Sequence, residues 1–280
     1  YFYLSFMVEN NLFDKVKNIT NELDYVNTTL LLSQGKNWIE NDNVKKFNKI
    51  FSCRNHNDIL GEFLFLISNL YSSQNNLEKS NFYLVLSNYL NPKFVFNLSL
   101  IIENFYLNED YENARKLLKN YTQEHDFYYW YRLKTEAKII SKLKSKEEAL
   151  NFIIKKFSKI KNVNDKMKFD VANFYKNSEK YEIAINLYSQ ILENLRESSE
   201  ARADILYRKG ASYERLKKYE KADKDLIEAL EINPNDAYIL NYLAYSWLER
   251  DYQIDKAIEM LENAYKIENN NPYIIDSIGW

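Results

Sequence analysis

The sequence predicts an all-α protein that forms an α-solenoid of stacked antiparallel helix pairs, and three observations lead to this prediction. Apolar residues make up 46% and charged residues 28% of the 280 residues, which suffices for a sizeable core. Only 4 Gly and 3 Pro occur, where average usage would give roughly 20 and 14, so the composition favours helices over tight turns. Small residues also recur about every 35 residues, the length of one helix pair.

Two successive stretches near the C-terminus carry this recurrence most plainly. The first runs from Leu206 to Asn235 and contains Gly210, Tyr213, Ala222, Leu226, Ala229 and Pro234. The second repeats the same offsets, with one extra residue in its internal turn, and contains Ala244, Trp247 and Ala257. A third begins at Pro272 and reaches its small residue at Gly279.

These offsets resemble those of the tetratricopeptide repeat, at six of its eight signature positions in the unit that starts at residue 203. The resemblance extends over nearly the whole chain and is closest after about residue 165. It implies a right-handed superhelix of helix pairs, similar to multi-repeat bacterial proteins of this family. The resemblance also implies a bacterial source. The excess of 30 Lys over 8 Arg is typical of the codon bias of an AT-rich genome.

The same template predicts the organisation of the chain. Repeat units start near residues 28, 61, 95, 130, 165, 203, 237 and 272. We therefore predict a partial N-terminal helix pair over 1–27, divergent repeats over 28–164, clearer repeats over 165–271 and the first helix of a further repeat over 272–280. Because residue 1 is Tyr and residue 280 falls inside a predicted helix, we expect a fragment at both ends, with any targeting segment outside it.

The small residues are expected where the two helices of a pair cross, because a missing side chain lets the helix axes approach. On the first helices this position reads Gly35, Ser68, Ile102, Ala137, Ala172, Gly210, Ala244 and Gly279. On the second helices it reads Phe47, Ser80, Ala114, Ala149, Ala184, Ala222 and Ala257. Only Ile102 and Phe47 are larger than this rule predicts.

Charge and hydropathy exclude several classes of partner. The net charge of -2 and the isoelectric point near 5.9 lack the basic footprint of a nucleic-acid binder, so we expect no nucleic acid. No run approaches about 18 uncharged apolar residues, so we expect no transmembrane segment in this sequence. The lone Cys53 excludes an internal disulfide, and leaves both the bacterial cytoplasm and the cell envelope open as compartments.

The sequence also lacks the residues of a catalytic or cofactor site. His56 and His125 are the only histidines, and they lie far apart in the predicted array, so we expect neither to hold a metal ion. No Gly-rich phosphate loop, nucleophile elbow or paired-histidine zinc motif occurs. We therefore expect no enzyme activity, no metal and no cofactor.

In the family that this chain resembles, the first helix of each pair lines a concave groove that binds peptides or helices. The family's groove positions, carried onto this sequence, give candidate partner-binding residues. They are Phe65, Tyr106, Tyr131, Lys134, Lys138, Lys166, Phe169, Asn173, Lys176, Tyr207, Tyr238, Asn241 and Tyr245. Many are aromatic, which suits a protein-binding surface.

Four lysines of this set fall between residues 131 and 176, so the resemblance implies a ligand with both acidic and apolar residues, whose acidic part binds there. The alternative interpretation is that these lysines form a solvated outer surface. We thus predict a non-enzymatic scaffold that binds another protein or peptide. The alternative function is a regulatory or adaptor segment of a larger enzyme whose catalytic domain lies outside this sequence, and RNA binding is disfavoured by the acidic balance.

Overall fold

The computed structural model describes residues 1–122 and 126–279. Over these residues the chain forms seventeen α-helices and no β-strand, so the predicted all-α solenoid class is confirmed. His125 and Trp280 lie outside the described residues. The chain divides into two compact units, Tyr1–Lys156 (unit 1) and Phe157–Trp280 (unit 2), which are described separately.

Unit 1 contains ten helices, the last of which ends one residue beyond it. Their bounds are α1 (Phe2–Glu9), α2 (Phe13–Glu22), α3 (Leu30–Glu40), α4 (Lys46–Ile50), α5 (His56–Ser73), α6 (Leu77–Leu90), α7 (Phe96–Leu107), α8 (Tyr111–Leu118), α9 (Asp126–Leu143) and α10 (Lys146–Phe157). Helices α5 to α8 stack in chain order, each against the next.

Unit 2 contains three helix pairs and one further helix in its described part. Their bounds are α11 (Asp165–Asn177), α12 (Tyr181–Leu192), α13 (Glu200–Arg215), α14 (Tyr219–Ile232), α15 (Ala237–Leu248), α16 (Ile254–Ile267) and α17 (Pro272–Gly279). Each helix packs against its successor, and Leu206, Leu226, Ala229, Leu243 and Leu261 belong to the largest part of its core.

The crossing positions named from the sequence lie in the interior of these pairs. Every one of them on the first helices except Gly279 is buried, and every partner on the second helices is buried. The two oversized residues face small ones. A Cβ on Gly35 would lie 3.0 Å from the ring of Phe47, and Ile102 shares its core cluster with Ala114. A large side chain on one helix therefore faces a small residue on the other, so the two helix axes can still lie close together.

Polar caps and left-handed turn residues set the ends of the helices. The side chains of Asn55, Asp110 and Ser199 accept backbone hydrogen bonds at the starts of α5, α8 and α13. Between the helices of most pairs a residue with positive φ reverses the chain, and none of these residues is Gly. Asn75, Glu109, Glu179 and Lys217 occupy this position, with φ between 56° and 60°. The chain therefore makes its tight turns without the glycines that such turns favour.

The first four helices of unit 1 depart from stacking in chain order. Helix α1 packs against α2 and α4, and α2 also packs against α3. Leu4 and Met7 of α1, Trp38 of α3 and Phe47 of α4 belong to one core cluster. Helix α3 packs against α9, which lies three helix pairs further along the chain. The repeat boundaries that the sequence predicts in this region stay a prediction.

Because the backbone of Lys217 is left-handed, replacing it by Gly removes a strain of about 1–3 kcal/mol. The greater freedom of Gly in the unfolded chain opposes this by about 0.4–1 kcal/mol. We expect Lys217→Gly to leave the free energy of unfolding unchanged or raised in urea titrations. The matched control is Lys224→Gly in the exposed middle of α14, which should lose about 1 kcal/mol. Equal losses in both variants would contradict the left-handed turn.

Candidate protein-binding groove

The predicted groove residues of unit 2 lie on the first helices of its three pairs. Lys166, Phe169, Asn173 and Lys176 are on α11, Tyr207 is on α13, and Tyr238, Asn241 and Tyr245 are on α15. Side-chain contacts connect α11 to α13 through Arg208, and α13 to α15 through Tyr242. These contacts link Phe169 and Asn173 of α11 to α13, and Tyr207 of α13 to α15. That all eight residues form one binding groove stays a prediction.

Cations cover the ring of Phe169, which is only 7% exposed. The guanidinium carbon of Arg208 lies 5.1 Å from the ring centroid, and Lys166 Nζ lies 5.9 Å from it. Both distances suit a cation–π interaction. A ligand that approached α11 here would meet the charged groups before the ring, so Phe169 supports the cations instead of offering open apolar area.

Asn173 lies beside these cations and is held from two sides. Its Oδ1 accepts a hydrogen bond of 2.7 Å from the Tyr188 hydroxyl and a longer one of 3.4 Å from Arg208 Nη1. The Asp204 carboxylate fixes Arg208, with 2.9 Å between Arg208 Nε and Asp204 Oδ1. The Nδ2 group of Asn173 has no acceptor in the described parts of the chain, so it can donate to a ligand.

Burial lowers the pKa of Lys176, and the nearby positive charge of Arg208 lowers it further, whereas Asp204 raises it. Among the residues that the structure describes, no carboxylate lies within ion-pair distance of Lys176. A half-buried ammonium group without a counter-ion gains free energy when an anion binds beside it. We call Lys166, Lys176 and Arg208 the basic cluster.

A second group, the tyrosine cluster, consists of Tyr207, Tyr238 and Tyr242. The rings of Tyr207 and Tyr242 meet edge to face at 5.5 Å, and the Tyr242 hydroxyl donates a 2.9 Å hydrogen bond to Glu214 Oε2. Burial raises the pKa of both tyrosines, so both stay neutral. Tyr238 is 52% exposed. Beside this cluster the buried Oδ1 of Asn241 has no hydrogen-bond partner in the described chain.

Arg208 and Tyr242 are functional candidates that are absent from the predicted groove residues. Each lies one residue beyond a family groove position, Arg208 after Tyr207 and Tyr242 after Asn241. The spacing of Asp204 and Arg208 by four residues is the sequence signal that could have indicated Arg208, because such a pair shares one helix face.

In unit 1 the aromatic groove residues make internal contacts. Phe65 is 7% exposed, and its ring centroid lies 5.9 Å from that of Phe2. The Tyr131 hydroxyl donates a 2.8 Å hydrogen bond to the backbone oxygen of Ser99, and burial raises its pKa. Tyr106 and Lys134 are half-buried, and Lys138 is exposed. Since Lys134 and Lys166 belong to different units, one basic centre from 131 to 176 stays a prediction.

Other functional features are few in the described residues. No group of three or more His, Cys, Asp or Glu side chains is placed to hold a metal ion there, and His56 is exposed. No helix within residues 1–122 and 126–279 has the length and apolar character needed to cross a membrane.

Comparison with known proteins identifies the repeat. The tetratricopeptide repeat model matches residues 203–236. A TPR repeat-containing protein of Pseudomonas aeruginosa is 30% identical over 77 residues, which are 28% of this chain and 13% of that protein. A lipoprotein NlpI homologue of Haemophilus influenzae is 32% identical over 93 residues, which are 33% of this chain and 29% of that protein. The matched stretches thus span less than a third of either relative.

Solved structures share the fold at lower identity. A chain of the APC/C hetero-tetramer Cut9–Hcn1 superposes with a TM-score of 0.60 and 16% identity, over 95% of this chain and 52% of that chain. The structure of Pseudomonas aeruginosa pilF gives a TM-score of 0.53 and 11% identity, over 79% of this chain and 97% of that chain. These likenesses show the fold alone. The protein carries a tetratricopeptide repeat within an all-α helical-repeat fold, and the resemblance found in the sequence is confirmed.

The contacts of Arg208 predict how Lys176 titrates. In Arg208→Ala the pKa of Lys176 should rise, because a neighbouring positive charge is lost, water gains access and Asp204 is released from its ion pair. An NMR titration of the Lys176 side chain measures this change. The control is Arg202→Ala, whose partner Glu228 lies 2.8 Å away in a separate ion pair and which should leave the Lys176 pKa unchanged. An unaltered Lys176 pKa in Arg208→Ala would refute the arrangement.

Proposed function

We propose that the chain is a non-enzymatic scaffold that binds an extended segment of another protein along α11, α13 and α15. Tetratricopeptide repeats are modules of protein–protein interaction, which supports a binding role in general. The observation that carries the specific proposal is the placement of the basic cluster and the tyrosine cluster on three successive first helices. Such a surface offers one site for charge and a neighbouring site for apolar contact.

The basic cluster is suited to a carboxylate of the ligand. Lys176 and Arg208 supply charged donors and Asn173 supplies a neutral donor, so a carboxylate there receives charge-assisted hydrogen bonds worth about 1.5–3 kcal/mol each. Much of the free-energy cost of removing water from the Lys176 ammonium group is already incurred in the free protein, because the side chain is half-buried before any ligand binds. Preorganisation of this kind increases affinity by lowering the cost of binding.

The tyrosine cluster is suited to the apolar residues that follow. Tyr238 presents an exposed ring, and the partly buried rings of Tyr207 and Tyr242 lie against the core beneath the surface. Tyrosine side chains of this kind dominate many protein interfaces. Because α13 contributes to both clusters, a ligand in extended conformation reaches the tyrosine cluster a few residues after its acidic residue. The proposed ligand is therefore a segment in which an acidic residue lies near apolar or aromatic ones. In unit 1, Lys134 and Lys138 form a further candidate contact for acidic residues.

An immobilised peptide array tests this proposal with the full chain. The array carries four sets of peptides: acidic with apolar residues, acidic alone, apolar alone, and basic with apolar residues. We expect the chain to bind the first set best. Binding should weaken with added salt, since the charges are partly exposed. It should also weaken as pH rises through the lowered pKa of Lys176, which lies below its ordinary value of 10.5.

The variant Lys166→Glu/Lys176→Glu should lose at least about tenfold in affinity for the first set, because about 1.4 kcal/mol of attraction corresponds to tenfold. The matched control is Lys224→Glu/Lys256→Glu, which makes the same charge change at exposed residues of the second helices α14 and α16. Equal losses in both variants would mean that only the net charge matters. Unchanged binding in the first variant would contradict the proposal.

A further inference from the structure

The chain's own N-terminal helices cover part of the groove side of unit 1. Phe2, at the start of α1, packs its ring against Phe65 of α5. Leu31, at the start of α3, is 7% exposed and shares a buried cluster with Phe65 and with Ile101 of α7. Phe65 is a family groove position, so residues 1–40 lie where the family places a ligand.

Contacts with α9 extend this cover across a third helix pair. The Tyr128 hydroxyl donates a 3.3 Å hydrogen bond to Gln34 Oε1 of α3. The ring of Tyr25 stacks on Phe127 at 6.3 Å, with an angle of 14° between the ring planes. Residues 1–40 therefore contact α5, α7 and α9, which are the first helices of three successive pairs.

A second feature of unit 1 is the exposure of Phe63 and Leu70 on α5, which occupy the third and tenth positions of their repeat unit. In α7 the residues at these two positions contact the second helix of the preceding pair. Asn97 donates a hydrogen bond to Ser87 Oγ at 3.1 Å, and Asn104 donates one to Ser80 Oγ at 2.9 Å. These third and tenth positions of the unit are at most 2% exposed in α7. In α5 they are Phe63 and Leu70, and each is 59% exposed.

The same positions are also covered in α13 and α15 of unit 2, in contrast to α5. Ile205 and Ser212 of α13, and Ile239 and Ser246 of α15, are all at most 4% exposed. The pair that precedes α5 in the chain is α3–α4, and it has the close crossing of Gly35 and Phe47. By chain order this pair is the one that would stack on Phe63 and Leu70, yet α3 packs against α9 instead.

We propose that residues 1–50 form an autoinhibitory plug that can dock at two alternative sites on the same chain, which we call its two seats. In the closed state α1 and α3 cover the groove of α5, α7 and α9. In the open state the α3–α4 pair stacks on Phe63 and Leu70 of α5, and the groove becomes accessible. The groove that the plug covers belongs to unit 1 and is separate from the basic and tyrosine clusters of unit 2. This proposal rests on the proposed function only in treating the first helices of unit 1 as a further binding surface. The second seat lowers the free-energy cost of the change from the closed to the open state. Apolar surface is exposed when α1 and α3 leave the groove, but Phe63 and Leu70 of α5 become covered at the same time.

Distance measurement between spin labels tests the two seats in the full chain. With Cys53 replaced by Ser, labels are placed at the exposed positions Asn41→Cys, at the end of α3, and Lys142→Cys, near the end of α9. The parent chain should give mainly one short distance. Leu31→Lys should move most of the population to a longer distance, because a charge at this position cannot stay in the α5–α7 cluster. The control Ile19→Lys, on the exposed side of α2, should not.

Two additional variants distinguish movement of the plug between its two seats from a general loss of stability. Tyr128→Phe removes one hydrogen bond to α3 without adding charge, and should shift a smaller fraction to the long distance. Adding Leu70→Asp to Leu31→Lys should replace the narrow long-distance population by a broad distribution, since the second seat is lost. If Leu70→Asp leaves that population narrow, the second seat is wrong.

A binding experiment completes the test without an external partner. The probe is a fluorescein-labelled peptide of residues 1–50, added to the full chain. The Leu31→Lys chain should bind it at least tenfold more tightly than the parent or the Ile19→Lys chain, because its groove is vacant. The plug is refuted if Leu31→Lys and Tyr128→Phe keep the short distance, or if either variant lowers the helical content of α5–α8 together with α1–α3. Since the spin-label distances are measured without any ligand, failure of the plug is distinct from failure of the proposed function.

Discussion

The close approach of paired helices at small residues is the constraint on which the rest of this structure depends. A Cβ on Gly210 would lie 2.9 Å from Leu226 Cγ and 3.1 Å from the backbone oxygen of Ala222, so α13 and α14 are packed as tightly as a bare backbone allows. Because each pair is this thin, the next pair can cover its remaining apolar face and the core becomes continuous. The opposite faces of the first helices then remain available for a partner.

The chemistry of unit 2 follows from this division of faces. Helix α13 uses Leu206 and Gly210 for packing, and a different face of it carries Asp204 and Arg208, with Tyr207 partly buried between the two faces. The same stacking brings Asn173 of α11 within reach of Arg208, although 35 residues separate them in the sequence. Charges that are half-buried by neighbouring repeats keep weaker hydration than isolated surface lysines. Such charges favour a ligand anion over water more strongly than fully exposed ones do.

The sequence was sufficient to predict the features that repeat. Ala222 and Gly210 could be assigned to a crossing because their offsets recur in the next unit. Non-repeating features could not be predicted in the same way. Lysine is not a residue type that indicates a left-handed turn, so the positive φ of Lys217 could not be predicted. Arg208 lies one residue after a groove position of the repeat, so the repeat pattern did not select it. The contact of Gln34 with Tyr128 joins residues 94 apart, and a template of neighbouring repeats contains no such contact.

A double-substitution cycle at Gly210 and Leu226 tests the central claim most directly, with free energies of unfolding measured in urea. Gly210→Ala should cost about 1–3 kcal/mol through overpacking, and Leu226→Ala about 2–5 kcal/mol through a cavity. The smaller side chain of Leu226→Ala leaves room for the Cβ that Gly210→Ala adds. The account therefore predicts that the double variant is more stable than the sum of the two losses by about 0.5–3 kcal/mol. Losses that add to within about 0.3–0.5 kcal/mol would show that the two positions are independent, and would contradict the close crossing.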